Sequence, residues 1–111
     1  MVDLTFLRKF TKDDPVKMKR YISLYLDVAP KTFSEMDRYL KDKDWEQLRI
    51  HAHSLKPQAD FMGIQNLKEH LIKIEEAVQS NQLDGIEELF DTALILSREA
   101  EQSLGVVMGE L

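Results

Sequence analysis

The sequence contains no cysteine, which excludes disulfides and thiolate metal sites. This suits a reducing compartment such as the cytoplasm, where we predict the protein to act. There is no apolar run near the ~18 residues that a membrane-spanning helix needs, and the first residues lack the features of a signal peptide. With a formal net charge of −5, the chain also lacks the basic surface that nonspecific nucleic-acid binding requires. We therefore expect neither membrane insertion nor nucleic-acid binding.

Glycine and proline are also scarce, with four and three residues respectively. This sparse punctuation, together with many Leu, Glu, Lys and Ala residues, favours a helical protein over a β-sandwich. The length is typical of one domain with its own core, so we predict a single domain over residues 1–111. We find no internal repeat, low-complexity segment or linker that would divide it.

Helix start and stop signals predict one short helix followed by four longer ones. The short helix ends near residues 11–12, and its apolar residues are Leu4, Phe6, Leu7 and Phe10. The second begins at Pro15 behind an Asp14 cap and runs to about residue 41. We interpret it as one helix kinked at Pro30, with two helices broken there as the alternative.

The third helix has a predicted capping box at Asp44 and Gln47, and it runs from Trp45 to about residue 62. Gly63 then supplies a left-handed stop. A fourth helix starts at residue 65 or 66 and ends around residues 80–81. Short turns between long helices imply antiparallel neighbours. The predicted fold is therefore all-α, an antiparallel up-down four-helix bundle with a short extra N-terminal helix.

The last helix is predicted to begin with a second capping box, formed by Asp84 and Glu87. Its apolar pattern reaches at least Leu104. Gly105 and Gly109 leave the structure of the remaining tail open.

The third helix carries two of the three histidines, on different sides. At about 100° per residue, its core stripe consists of Trp45, Leu48, Ala52, Leu55, Ala59 and Met62. His51 flanks this stripe, whereas His53 falls well outside it, with Lys56 as its neighbour at i+3. We predict that His53 is exposed, while His51 and His70 are boundary residues that hydrogen-bond locally. Most surface histidines have no special role, so position alone does not assign one to His53.

Several side chains around His53 indicate a docking patch. Ile50 and Phe61 are apolar residues on the predicted solvent side, and they flank His53 along the helix. Single exposed apolar residues are common, however, and prove no interface. The predicted binding residues are Ile50, Pro57, Asp60 and Phe61.

The segment from His53 to Gly63 resembles the signature of histidine-containing phosphotransfer (HPt) domains. That signature has a histidine, an apolar residue two positions on, a lysine three on, a glycine four on, small residues in the next turn, and a glycine ten on. The matching residues here are His53, Leu55, Lys56, Ala59 and Gly63. Segments 44–48 and 24–30 also resemble the family, so the resemblance spans most of the chain, and it implies the same bundle fold.

Pro57 departs from this pattern, because the family has a glycine directly after the lysine. That glycine is thought to leave room around the imidazole and for an approaching partner, and proline fills some of this space. Proline also has no N–H for the carbonyl of His53, four residues earlier, so we expect the helix to bend there. Our hypothesis is that Pro57 tunes the presentation of His53 and does not abolish activity.

The resemblance implies a phosphorelay carrier. His53 would accept a phosphoryl group from an aspartate of a response-regulator receiver domain and pass it to another receiver aspartate. Lys56 would offset charge on the phosphoryl oxygens. No intrinsic cofactor or metal is expected, because Mg²⁺ would come from the partner receiver. The chain has no glycine-rich phosphate loop, so we expect an intermediate without ATP-dependent kinase activity. We also expect it to be a monomer.

The implied partners are receiver domains and, as a further candidate, a hybrid sensor histidine kinase. Two other classes of protein stay open. A non-catalytic helical adaptor, as an inactive relative, would bind receivers without transfer. A metal–carboxylate bundle enzyme would need Glu-x-x-His pairs on inward faces, and the only approximation is Glu69-His70.

Overall fold

The computed structural model describes residues 2–111, which form five α-helices. Their bounds are α1 (Thr5–Thr11), α2 (Pro15–Lys41), α3 (Trp45–Phe61), α4 (Gln65–Gln79) and α5 (Ile86–Glu110). Helices α2 to α5 form a closed ring in which each contacts its two neighbours, and α1 lies against α2. Turns of three to six residues join the long helices, which are therefore antiparallel. This confirms the predicted all-α bundle with an extra N-terminal helix.

Helix α2 begins with the predicted cap. The Asp14 carboxylate accepts hydrogen bonds from the backbone N–H groups of Val16 and Lys17, at 2.9 and 3.4 Å. The helix then continues through Pro30 to its end at Lys41. The single-helix interpretation is therefore confirmed, and the alternative of two helices is wrong.

Helix α3 has the predicted Asp44 cap, whose carboxylate accepts from the N–H of Gln47 at 3.3 Å. The reciprocal half of the capping box does not form, because the N–H of Asp44 donates to the carbonyl of Tyr39 at 2.9 Å. At the other end, Gly63 follows the helix with a φ of 70°, the left-handed value predicted for a stop.

Gly63 also lies directly under the N-terminal segment. The N–H of Asp3 donates to the carbonyl of Gly63 at 3.0 Å. A Cβ atom at Gly63 would overlap the backbone of Asp3, so no other residue fits without moving that segment. Gly63 therefore both ends α3 and holds the segment that leads into α1.

The start of α5 differs from the prediction. The N-cap is Gly85, with a φ of 80°, and no side chain caps the helix. The predicted capping box of Asp84 and Glu87 is wrong, because Asp84 precedes the cap residue and so is one position too early. Glu87 still lies in the first turn, where a negative charge complements the helix dipole.

Helix α5 continues past Leu104 to Glu110, so the tail that the sequence left open is helical. Gly105 and Gly109 each weaken a helix by about 1 kcal/mol relative to alanine. Leu104 is buried and Met108 is partly buried against the core, which anchors this end of the helix.

The predicted core stripe of α3 is confirmed, since Trp45 is half-buried and the others are at most 3% exposed, namely Leu48, Ala52, Leu55, Ala59 and Met62. This burial fixes the rotation of α3 and therefore decides which of its side chains face outward. None of the helices formed by residues 2–111 combines the length and apolarity needed to cross a membrane.

Candidate active site

His53 lies on the outside of the bundle, with its side chain 62% exposed. Its neighbours Ala52 and Leu55 point into the core and hold α3 in place. The predicted exposure of His53 is therefore confirmed.

Glu75 on α4 joins His53 to Lys56, and it was not predicted from the sequence. Its Oε2 atom lies 2.9 Å from Nδ1 of His53, and its Oε1 atom lies 2.8 Å from Nζ of Lys56. The Glu75 side chain is only 9% exposed. One nearly buried carboxylate thus holds both residues of the matched motif.

A signal for Glu75 is present in the sequence. The residue follows Leu71 by four positions and Leu67 by eight, so it falls at the edge of the apolar stripe of α4. A glutamate near a core-facing position needs partners, because charged groups are rarely buried unless paired. The identity of those partners depends on how α3 and α4 pack.

Glu75 is ionised at neutral pH. Burial raises the pKa of this carboxyl, but the hydrogen bonds from Lys56 and His53, and the charge of these groups, outweigh burial and leave the pKa lowered. A carboxylate can only accept hydrogen bonds. In neutral His53 the proton must therefore be on Nδ1, which donates to Glu75, and the lone pair is on Nε2.

A second cation lies one turn before His53. Arg49 pairs with Glu46, and this hydrogen bond raises the pKa of the guanidinium, with a smaller contribution from the charge of Glu75. The side of α3 that carries the imidazole is therefore flanked by Arg49 and Lys56.

The predicted docking residues are only partly free. Ile50 is 40% exposed and Pro57 is exposed, as expected. Phe61 was expected on an open face, but it is half-buried, because α1 covers it. The centroid of its ring lies 5.2 Å from that of Phe6 and 5.3 Å from that of Phe10.

The aromatic surface is consequently supplied by α1. Phe6 and Phe10 are 54% and 55% exposed, although both belong to the apolar residues that predict α1. Tyr21 on α2 completes the group, with its ring centroid 5.5 Å from that of Phe61. We call these four residues, Phe6, Phe10, Tyr21 and Phe61, the aromatic cluster.

Pro57 and Phe61 form a ridge between two open cavities. One, of about 380 Å³, lies between α2 and α3 and is lined by Leu24 among others. The other, of about 450 Å³, lies between α1 and α3 and includes Phe6 and Lys9. Pro57 does not interrupt α3, which continues to Phe61.

Asp60 is engaged within the chain. Its Oδ1 atom accepts from Nζ of Lys68 at 3.0 Å and from Nε2 of Gln65 at 3.1 Å. The hydrogen bond with Lys68 is the main cause of the lowered pKa of Asp60. Its predicted role in binding stays a prediction, since these contacts link α3 to α4.

The other two histidines make the predicted local hydrogen bonds, and His51 also contacts a residue of α2. Nδ1 of His51 lies 2.8 Å from the carbonyl of Gln47, and its Nε2 lies 2.9 Å from a carboxylate oxygen of Glu35. Nδ1 of His70 lies 3.0 Å from the carbonyl of Asn66. Over residues 2–111, no three His, Cys, Asp or Glu side chains are grouped so that they could hold a metal ion. The metal–carboxylate alternative therefore has no ligand set in this part of the chain.

A helical bundle with an exposed histidine on one helix is the architecture expected from the resemblance, and comparison with known proteins agrees. A family model described as the Hpt domain matches residues 20–105. The chain belongs to the Hpt domain family.

Individual proteins show the same relationship. Over 64 residues the chain is 28% identical to the phosphorelay intermediate protein YPD1 of Candida albicans. The aligned region covers 58% of this chain and 35% of that protein. The chain thus matches about a third of the length of this relative. The crystal structure of histidine-containing phosphotransfer protein B (HptB) from Pseudomonas aeruginosa PAO1 aligns with a TM-score of 0.91. The alignment covers 99% of this chain and 96% of the HptB chain at 15% sequence identity. The two chains therefore share the same fold.

Proposed function

We propose that the chain is a phosphorelay carrier, in which His53 accepts a phosphoryl group from a receiver aspartate and passes it to an aspartate of a second receiver. The observation that carries this proposal is the contact between Glu75 and Nδ1 of exposed His53. It fixes the tautomer in which Nε2 has the lone pair, on a side chain that a partner domain can reach.

The transfer is an in-line displacement at phosphorus. The lone pair of His53 Nε2 forms the N–P bond as the P–O bond to the receiver aspartate breaks, and the electron pair of that bond leaves with the carboxylate. The Nδ1 proton stays on the ring, which becomes positively charged. Glu75 stabilises that charge while it develops, and transfer to the second receiver reverses the sequence.

Lys56 supplies positive charge to the phosphoryl oxygens. Its side chain is 27% exposed, and its ammonium already lies beside the imidazole because Glu75 holds both groups. The receiver supplies Mg²⁺ from its acidic pocket, so the carrier itself needs no metal ligands.

The receiver docks over the aromatic cluster together with Ile50 and Pro57. Ile50, Pro57 and Phe61 lie on the same helix as His53, and Phe6 and Phe10 extend this apolar surface onto α1. A domain docked there brings its aspartate to the imidazole. We further propose that the protein is a cytoplasmic monomer and that its donors include the receiver of a hybrid sensor histidine kinase.

The test is incubation of the chain with a radiolabelled phosphorylated receiver. Wild type is expected to acquire acid-labile, base-stable label, and the His53→Gln variant is expected to acquire none. The matched control is His70→Gln, which changes a half-buried histidine on α4 and should keep the label. If wild type binds candidate receivers but acquires no label from any of them, the result would instead support a non-catalytic adaptor.

A further inference from the structure

Positive charge is concentrated in the N-terminal part of this acidic chain. Residues 1–20 contain six lysines and arginines but three aspartates, which gives a net charge of +3 in a chain whose total is −5. The remaining residues therefore carry −8. This positive segment comprises α1 and the first part of α2, the same elements that supply three members of the aromatic cluster.

Three of these cations adjoin the exposed apolar surface. Lys9 lines the cavity between α1 and α3. Lys17 precedes Tyr21 by four residues on α2, and Arg20 precedes Leu24 by four, so each cation lies one turn from an apolar residue on the same side. We call Lys9, Lys17 and Arg20 the basic rim.

The basic rim is not neutralised from within the described chain. Among residues 2–111, no carboxylate oxygen lies within 4.0 Å of its three cationic groups. Elsewhere on α2 the arrangement differs, since Lys31 pairs with Asp27 at 3.2 Å and Lys41 pairs with Asp37 at 2.9 Å.

The nearby aspartates are engaged in other contacts. Asp14 caps α2, Asp3 accepts hydrogen bonds from the hydroxyl and N–H of Thr5, and Asp13 lies 3.7 Å from Arg8. None of these carboxylates pairs with a rim cation, although Asp3 lines the same cavity as Lys9. The three cations therefore remain available to a partner that docks on the aromatic cluster.

We propose that the basic rim selects receivers with a surplus of carboxylates around their docking face and speeds their association by electrostatic steering. This inference rests on the proposed function, because it names the kind of receiver that the docking surface fits. An aspartyl phosphate in an acidic pocket presents negative charge, which complements cations placed around an apolar contact. Charges at the rim of an interface change the association rate more than the final affinity.

The experiment measures the association rate constant by stopped-flow fluorescence, with a receiver that labels the wild-type chain. The variant combines Lys9→Glu, Lys17→Glu and Arg20→Glu. At about 0.01 M salt, where the Debye length is ~30 Å, we expect association roughly tenfold slower than for wild type. At about 1 M salt, where that length is ~3 Å, we expect the difference to disappear.

The matched control combines Lys43→Glu, Lys73→Glu and Arg98→Glu, which changes the net charge equally at exposed positions away from the aromatic cluster. It is expected to slow association less than twofold. Equal slowing by both triple variants would show an effect of total charge and overturn the inference. An unchanged rate in the rim variant would overturn it as well.

Two further measurements separate failure of the inference from other causes. The same three rim positions changed to glutamine remove half as much charge, and an intermediate rate is expected from them if the glutamate variant unfolds. Suppose that wild type and the rim variant both acquire label and that their association rates depend on salt in the same way. This result would refute the role of the basic rim in association but not the proposed phosphorelay function. Absence of label on wild type would refute the carrier itself.

Discussion

Replacement of Glu75 by glutamine is expected to slow phosphoryl transfer to His53 without unfolding the bundle. The amide keeps the shape of the side chain but removes the negative charge that holds Nδ1 of His53 and Nζ of Lys56. Because an amide donates as well as accepts, the imidazole proton is no longer confined to Nδ1. Part of the population then carries the proton on Nε2, where no lone pair is left for attack on phosphorus.

The size of the effect follows from the loss of a charge-assisted hydrogen bond. Such bonds contribute about 1.5–3 kcal/mol, and a barrier change of 1.36 kcal/mol alters a rate about tenfold. The bond strengthens as the ring becomes positive, so most of its contribution acts on the transition state. We therefore expect transfer to be roughly 10- to 150-fold slower in the Glu75→Gln variant.

Stability should change much less than the transfer rate. The side chain of His53 is 62% exposed and that of Lys56 is 27% exposed, so both can reach water when the charge of Glu75 is removed. We expect a decrease of about 1 kcal/mol or less in the free energy of unfolding. This difference separates a positioning role from a purely structural one.

The assay is a rapid-quench, single-turnover measurement of label transfer from a phosphorylated receiver. Affinity for the unphosphorylated receiver, measured by calorimetry, is expected to stay unchanged. Glu76→Gln is the matched control, because Glu76 is the exposed neighbour of Glu75 on α4. A wild-type transfer rate in Glu75→Gln, or equal slowing in both variants, would refute the role assigned to Glu75.

Three further predictions concern pH and backbone. The pKa of Glu75 is lowered by folding, so its ionised form stabilises the protein above the ordinary value of 4.5, and that stability is lost as the pH falls below it. Thermal unfolding of wild type should therefore lose more stability below about pH 4.5 than that of Glu75→Gln, and parallel curves would contradict this. Gly63→Ala is expected to cost about 2 kcal/mol or more in urea unfolding, because of its positive φ and the overlap with Asp3. The control Gly105→Ala, whose Cβ meets open space within α5, should stabilise by about 1 kcal/mol, and similar behaviour of the two variants would disprove the contact's importance. Pro57→Gly is expected to change both the helix geometry, followed by NMR, and the transfer rate, and no change in either would end the hypothesis that Pro57 tunes the histidine.

Local chemistry was sufficient to predict most of the helices. Asp14 and Asp44 cap where expected, and Gly63 ends α3, because these features depend on a few adjacent residues. The apolar stripe of α3 likewise placed His53 correctly on the exposed side. The wrong prediction at Asp84 also concerns adjacent residues, because Gly85 adopts the left-handed conformation and is itself the N-cap of α5.

Contacts between distant residues could not be read from local pattern. Glu75 meets His53 across 22 positions, and only the packing of α4 against α3 brings them together. The periodicity of α3 by itself places Phe61 on an open face, whereas α1 crosses over it. In both cases the deciding partner belongs to another helix, which helical periodicity does not report.

The hydrogen bond between Asp3 and Gly63 joins two parts of the molecule to which we assign different roles. His53, Lys56 and Glu75 all belong to α3 and α4, whereas the exposed rings of the aromatic cluster come from α1. The backbone contact at Gly63 fixes the segment leading into α1 to the end of α3. Under the proposed function, changes in α1 would alter which partners dock while the residues proposed to handle the phosphoryl group stay the same, so partner choice could diverge without loss of the reaction.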